Sequence, residues 1–209
     1  VSLWLKEVKY QRENHSIWKQ MLSSSTMIVK NKQIMILLAA GFIFWAFGES
    51  THLLKSIFFA FKEIPIHYFG YVFAFTYGFS AIGHYFSHYV SERFGDTNTL
   101  FGASIIDSIL VIASTLTFGL ASAILIVLPS ITFGIRNPVM SHMLNQEVPS
   151  SKRATVLSID NLTRQFGKVI FAPFLGWLAD LWTINTAFMI AGVCLFAGAF
   201  ITLGLREKP

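Results

Sequence analysis

Six predominantly apolar stretches can be counted along the chain: residues 34–54, 67–90, 99–118, 120–143, 154–179 and 185–205. Each approaches the ~20 residues that span ~30 Å of hydrocarbon at 1.5 Å per residue. The connections between them are short and contain Gly, Pro, Asn or Asp. Inside lipid only helices and closed barrels satisfy their own backbone, and segments this long and evenly apolar favour helices. One run carries a strand-like period, because Tyr71, Phe73, Phe75, Tyr77 and Phe79 alternate with smaller residues. Val72, Ala74 and Ile82 deny it a polar face, so a helix is expected there too. Residues 1–33 differ in kind, with Leu3, Trp4, Val8, Ile17, Trp18, Met21 and Leu22 spread among charged and amide side chains. They read as an amphipathic segment on the membrane surface or as a linker from a preceding domain. The expected organisation is 1–33 as that segment, 34–205 as a six-helix transmembrane domain, and 206–209 as a tail.

Composition agrees with the pattern. Of 209 residues 54% are apolar and 13% charged, whereas soluble domains carry about 25% charge. The lone Cys194 excludes a disulfide framework and any cysteine-based zinc site. The chain begins with Val and shows no signal peptide, which we read as a fragment whose upstream half lies elsewhere.

A net charge of +5 raises nucleic acid as a partner, but the distribution points to the bilayer. Lys6, Lys9, Arg12, Lys19, Lys30, Lys32, Arg93, Lys152, Arg153, Arg206 and Lys208 fall on one side of an alternating topology. Only Lys55 and Lys62 fall on the other. Basic loops stay cytoplasmic, so both termini are expected inside a cell membrane, with no nucleic-acid partner.

The segment from Asn145 to Asp180 carries the most specific signal. Gly134, Arg136, Asn137 and Pro138 precede it. Within it stand Asn145, Pro149, Arg153-Ala154-Thr155, Ser158, Pro173, Gly176 and Asp180. These residues resemble the C-terminal half of a major facilitator superfamily (MFS) transporter, most like bacterial multidrug or small-solute efflux permeases. A weaker echo is Glu92-Arg93-Phe94-Gly95, similar to the family's acidic loop. It departs at His88, where the motif has glycine, and at Asp96, where it has a basic residue. The resemblance implies an all-α membrane fold of two inverted three-helix repeats, 34–118 and 119–205, paired with an N-terminal six-helix half. It implies that the first and fourth helices line a solute path, the second and fifth face the other half, and the third and sixth face lipid.

Charges inside such spans are costly and face protein or water. Glu49 has His52 and Trp45 one helical turn away, and a carboxylate there suits proton pick-up and release. Arg136, followed by Asn137-Pro138, offers a fixed positive charge to a solute or to a structural partner, Asp160 or Asp107. Asp160, Arg164 and Lys168 follow at successive i, i+4 positions. Asp160 and Arg164 can pair within their helix, which leaves Lys168 in need of a partner. Glu49, His52, Arg136, Asn137 and Lys168 are therefore the candidates for a substrate or proton pathway. Arg93, Asp107, Arg153, Asp160 and Arg164 are the candidates for a gating or structural charge network. His84 and His88 form a His-x-x-x-His pair that raises a membrane metalloenzyme as a rival, but the other four histidines are scattered. Pro129, Pro138 and Pro173 are expected to bend helices, and Gly119, Gly134, Gly167 and Gly176 to permit close helix approach.

The function expected is movement of a small solute or drug by alternating access, as proton-coupled efflux, without enzyme activity, metal or cofactor. A non-transporting truncated permease or interaction protein is the alternative.

Overall fold

The computed structural model describes residues 17–206, and every regular element among them is helical. The expected tail at 207–209 and most of the N-terminal segment lie outside the described residues. Helix α1 (Ile17–Lys30) is followed by Asn31, whose side chain accepts hydrogen bonds from the Gln33 and Ile34 backbone N–H groups and so caps α2 (Lys32–Phe44). The Asn31 amide donates to Glu147 at 2.9 Å, which ties this entry to the far end of α8 (Pro129–Glu147).

α2 does not end at Phe44. It runs through a π-helical turn, Trp45–Glu49, into α3 (Ser50–Leu53), forming one 22-residue rod, Lys32–Leu53. After a break at Leu54 the chain turns helical again in α4 (Lys55–Phe61). Four further rods follow: α5 (Phe69–Phe94), α6 (Asp96–Leu116), α7 (Gly119–Val127) continuing into α8, and α9 (Arg153–Leu181). α10 (Ile184–Ala199) with a 3-10 end at Phe200–Gly204 completes the bundle. Among the described residues four stretches are long and apolar enough to cross a membrane: Lys32–Leu53, Asp96–Leu116, Gly119–Glu147 and Ile184–Gly204. α5 and α9, at 26 and 29 residues, are at least as long as most of these, although α9 carries the interior charges. The aromatic alternation at Tyr71–Phe79 lies wholly inside α5.

Small residues set the tightest crossings. Gly83 of α5 and Gly134 of α8 face one another so closely that a Cβ on Gly83 would collide with the Ile131 carbonyl oxygen, and one on Gly134 with the Ser80 carbonyl oxygen. Gly167 of α9 packs on the first rod, where an added Cβ would lie 3.1 Å from Ala46. Without lipid-excluding pressure between helices, such close packing supplies the association energy. The glycine expectation needs correction at two positions. Gly176 faces open space, and Gly119 serves a turn instead, at φ +58, where a side chain is strained. Pro129 lies at the α7–α8 break inside the Gly119–Glu147 stretch, and Pro138 and Pro173 lie inside their helices.

Lys55 and Lys62, read from sequence as loop charges, are both buried, at 5% and 0% exposure. The Lys62 ammonium donates to the carbonyl oxygens of Thr115 (2.8 Å) and Thr117 (2.7 Å) and sits 4.5 Å above the Phe118 ring. It thereby satisfies carbonyls left open at the C-terminal end of α6. The Gly119 N–H donates back to the Lys62 carbonyl, closing a clasp between α4 and the α6–α7 turn.

Large apolar side chains crowd the surface of two rods. Tyr71, Phe75, Tyr77, Tyr85 and Phe86 stand exposed on α5, as do Leu162, Phe166, Val169 and Trp177 on α9. In water these would be liabilities; against lipid or a partner half they are ordinary.

Candidate functional site

A cavity of about 240 Å³ opens between the C-terminal part of the first rod, α4, α5, α6, α7 and α8. Glu49, His52 and Lys55 enter it from one side, spaced three residues apart where the π turn gives way to α-helix. Asp107 of α6 and Arg136 of α8 enter from the other. Thr51, Thr76, Tyr77, Ser80 and Ser130 add hydroxyl groups, and Phe44 and Phe133 an apolar floor.

The strongest contact in the cavity is the ion pair between Arg136 and Asp107, 2.8 Å apart with both side chains less than a tenth exposed. Arg136 also lies over the Phe44 ring at 4.3 Å. This pair spans 29 residues and locks α6 to α8, so of the two structural partners open to Arg136 in sequence it takes Asp107. Lys55 lies within electrostatic reach of both Glu49 and Asp107, yet joins neither in an ion pair or hydrogen bond. The ring of His52 makes edge contacts with Phe73 and Tyr77.

A second charged centre lies beside the first but outside the cavity lining. Arg164 pairs with Asp160 of its own helix at 2.9 Å and donates to the Asn137 side-chain oxygen at 3.2 Å. Its guanidinium rests 5.0 Å over Trp45. Arg136 and Asn137 are neighbours in α8, and Phe44 and Trp45 are neighbours in the first rod. Two adjacent residue pairs therefore serve the two centres in parallel.

The structure thus brings Glu49, His52, Arg136 and Asp107 together. Asn137, Asp160 and Arg164 gather elsewhere. Trp45 does not join Glu49 and His52 at the cavity. The π turn adds a fraction of a residue per turn, so the expected i, i+4 alignment fails there, and Trp45 packs on Phe133 at 5.4 Å. Lys168 is half-buried on α9, does not line the cavity, and has no hydrogen bond or ion pair among the described residues. Arg93 and Arg153 do not connect to the buried network. Arg93 is exposed beside the Tyr89 hydroxyl, and Arg153 is exposed beside the Asn145 carbonyl. Their positions at helix ends leave them in the polar rim, where long basic side chains reach water.

His84 and His88 serve separate partners. His84 Nδ1 meets the Ser80 carbonyl at 2.8 Å and His88 meets Glu92 at 3.3 Å. Among the described residues no group of three or more His, Cys, Asp or Glu side chains is arranged to hold a metal ion.

Lys55 is the residue that sequence reading placed elsewhere. The available signal was its spacing of three from His52 and six from Glu49, visible only if the helix resumes beyond Leu54.

No curated protein matches the chain in sequence. Solved structures match it in fold. The MFS transporter FucP in its outward conformation superposes with a TM-score of 0.79 at 20% identity, over 98% of this chain and 50% of that one. A single-residue variant of the E. coli fucose:proton symporter FucP gives 0.78 at 20% identity, over 98% and 51%. The chain spans about half the length of these structures. Residues 34–209 match the Major Facilitator Superfamily as a sequence family. The chain belongs to the Major Facilitator Superfamily of membrane transporters.

Proposed function

We propose that this chain is the C-terminal half of a proton-coupled transporter and that its cavity is its share of the solute path. Residues 1–33 would then be the cytoplasmic connection from an N-terminal half, with both ends inside a bacterial cell membrane, as the distribution of basic residues favours. The exposed aromatic faces of α5 and α9 suit contact with that half and with lipid.

The observation that carries the reading is Glu49. It is a half-buried carboxylate lining the cavity with no ion pair among the described residues, in a rod otherwise nearly free of charge. A carboxylate that can hold either a proton or a cationic group of the solute, but not both, exchanges one for the other. That exchange drives efflux when protons enter as solute leaves. The fucose:proton symporter shares this fold, and proton coupling is compatible with it in either direction.

The test is transport by the gene-encoded protein in proteoliposomes under an imposed pH gradient. Glu49→Gln is expected to reduce gradient-driven solute movement at least tenfold while solute exchange without a gradient continues. Gradient-driven movement at the wild-type rate in Glu49→Gln would remove Glu49 from the coupling step.

A further inference from the structure

Lys55 is the least satisfied charge in the cavity. It is 5% exposed, lines the cavity, and makes no hydrogen bond or ion pair among the described residues, although Glu49 and Asp107 are near enough to act on it electrostatically. Asp107 is already engaged by Arg136. Lys62, the other buried lysine of this region, shows what a satisfied ammonium looks like here, with two carbonyl oxygens at 2.8 and 2.7 Å. An ammonium without such partners, open only to the cavity, gains from an anionic group brought in from outside. Glu49 presents the mirror-image need, a carboxylate open to the same cavity without a cation in contact. Two unpaired charges of opposite sign therefore share one cavity, separated by the turn between α3 and α4.

Resting on the transporter reading above, we propose that the solute is a small zwitterion carrying an ammonium and a carboxylate, the ammonium held by Glu49 and the carboxylate by Lys55. Hydroxyl groups of Thr51, Thr76 and Ser80 and the rings of Tyr77 and Phe133 border the space for the rest of the molecule. A neutral sugar would meet the hydroxyls but leave both charges unpaired. A lipophilic cation would satisfy Glu49 and place its charge against Lys55.

The experiment measures ligand-induced stabilisation of the full gene-encoded protein in detergent. The probes are leucine, leucinamide (no carboxylate), 4-methylpentanoate (no ammonium) and fucose. Leucine is expected to bind at least tenfold more tightly than the other three. Lys55→Gln should abolish the preference for leucine over leucinamide, and Glu49→Gln the preference for leucine over 4-methylpentanoate, while Lys55→Arg retains the former. Because each comparison is a ratio within one variant, lowered stability of a variant does not imitate the result. Fucose binding with no response to leucine would overturn the zwitterion assignment and leave the transporter reading standing. An unchanged leucine-to-leucinamide preference in Lys55→Gln would also overturn it, because Lys55 then pairs with a carboxylate of the other half. A failure of the transporter reading itself shows separately, as wild-type protein that moves no solute under a pH gradient.

Discussion

Arg136 and Arg164 are built alike and used differently. Each guanidinium lies over an aromatic ring of the first rod, Phe44 or Trp45, and each meets an aspartate at 2.8 or 2.9 Å. Arg136 reaches across to α6 and borders a cavity with two unpaired charges nearby. Arg164 takes its aspartate from its own helix, four residues earlier, and makes its one hydrogen bond to another helix with the neutral amide of Asn137. The first pair ties two rods with full charges at the cavity. The second is neutralised locally and needs its neighbour only for a hydrogen bond. An ion pair within one helix survives movement of that helix, whereas one between helices must break or move both.

The largest effect is expected where the two centres share a support. α8 carries both Arg136 and Asn137, and its position is set by the Gly83–Gly134 contact with α5. Gly134→Ala places a Cβ against the Ser80 carbonyl, where no rotamer relieves the clash, and should destabilise by more than about 4 kcal/mol. The expected readout is loss of the monodisperse peak in detergent. Near-normal melting of Gly134→Ala would mean that the two centres are held independently.

Next comes a direct contrast of the pairs. Arg164→Ala strands a buried aspartate away from the cavity and should cost about 3 kcal/mol. Asp107→Asn keeps a hydrogen-bonding partner for Arg136, at about 1–2 kcal/mol. Thermal unfolding in one detergent compares them. The reverse order would mean that the Arg136–Asp107 pair is the structural one.

The two centres were unequally legible in sequence. Asp160 and Arg164 sit four apart on a long helix, so their pairing needed only the helical repeat. Arg136 offered two aspartates at large separations, and helix packing alone decides between them. The π turn was hidden for a different reason. Trp45-Ala46-Phe47-Gly48-Glu49 reads as ordinary helix, and nothing local reports that its backbone takes a wider turn. Trp45 was therefore aligned with Glu49 and His52, although it faces Arg164. Lys55 and Lys62 read as loop charges because a lysine after an apolar run marks the end of a span, whereas the chain resumes helix past Leu54 as α4 and both lysines are buried.

The smallest effect tests whether the second centre is linked to the first at all. Asn137→Ala removes one hydrogen bond to Arg164 and leaves the Asp160 pair and the Trp45 contact intact, for a cost of about 1 kcal/mol. If the link matters only for stability, transport per folded molecule stays near wild type. Should α8 transmit movement from the cavity to α9 through Asn137, solute exchange slows several-fold while the melting temperature falls only slightly. Combining Asn137→Ala with Asp107→Asn separates these cases. Additive unfolding energies are expected for independent centres, and a departure above about 0.5 kcal/mol marks coupling through α8. The adjacency of Arg136 and Asn137 on one helix, each engaged with a different neighbour, makes coupling the expected result.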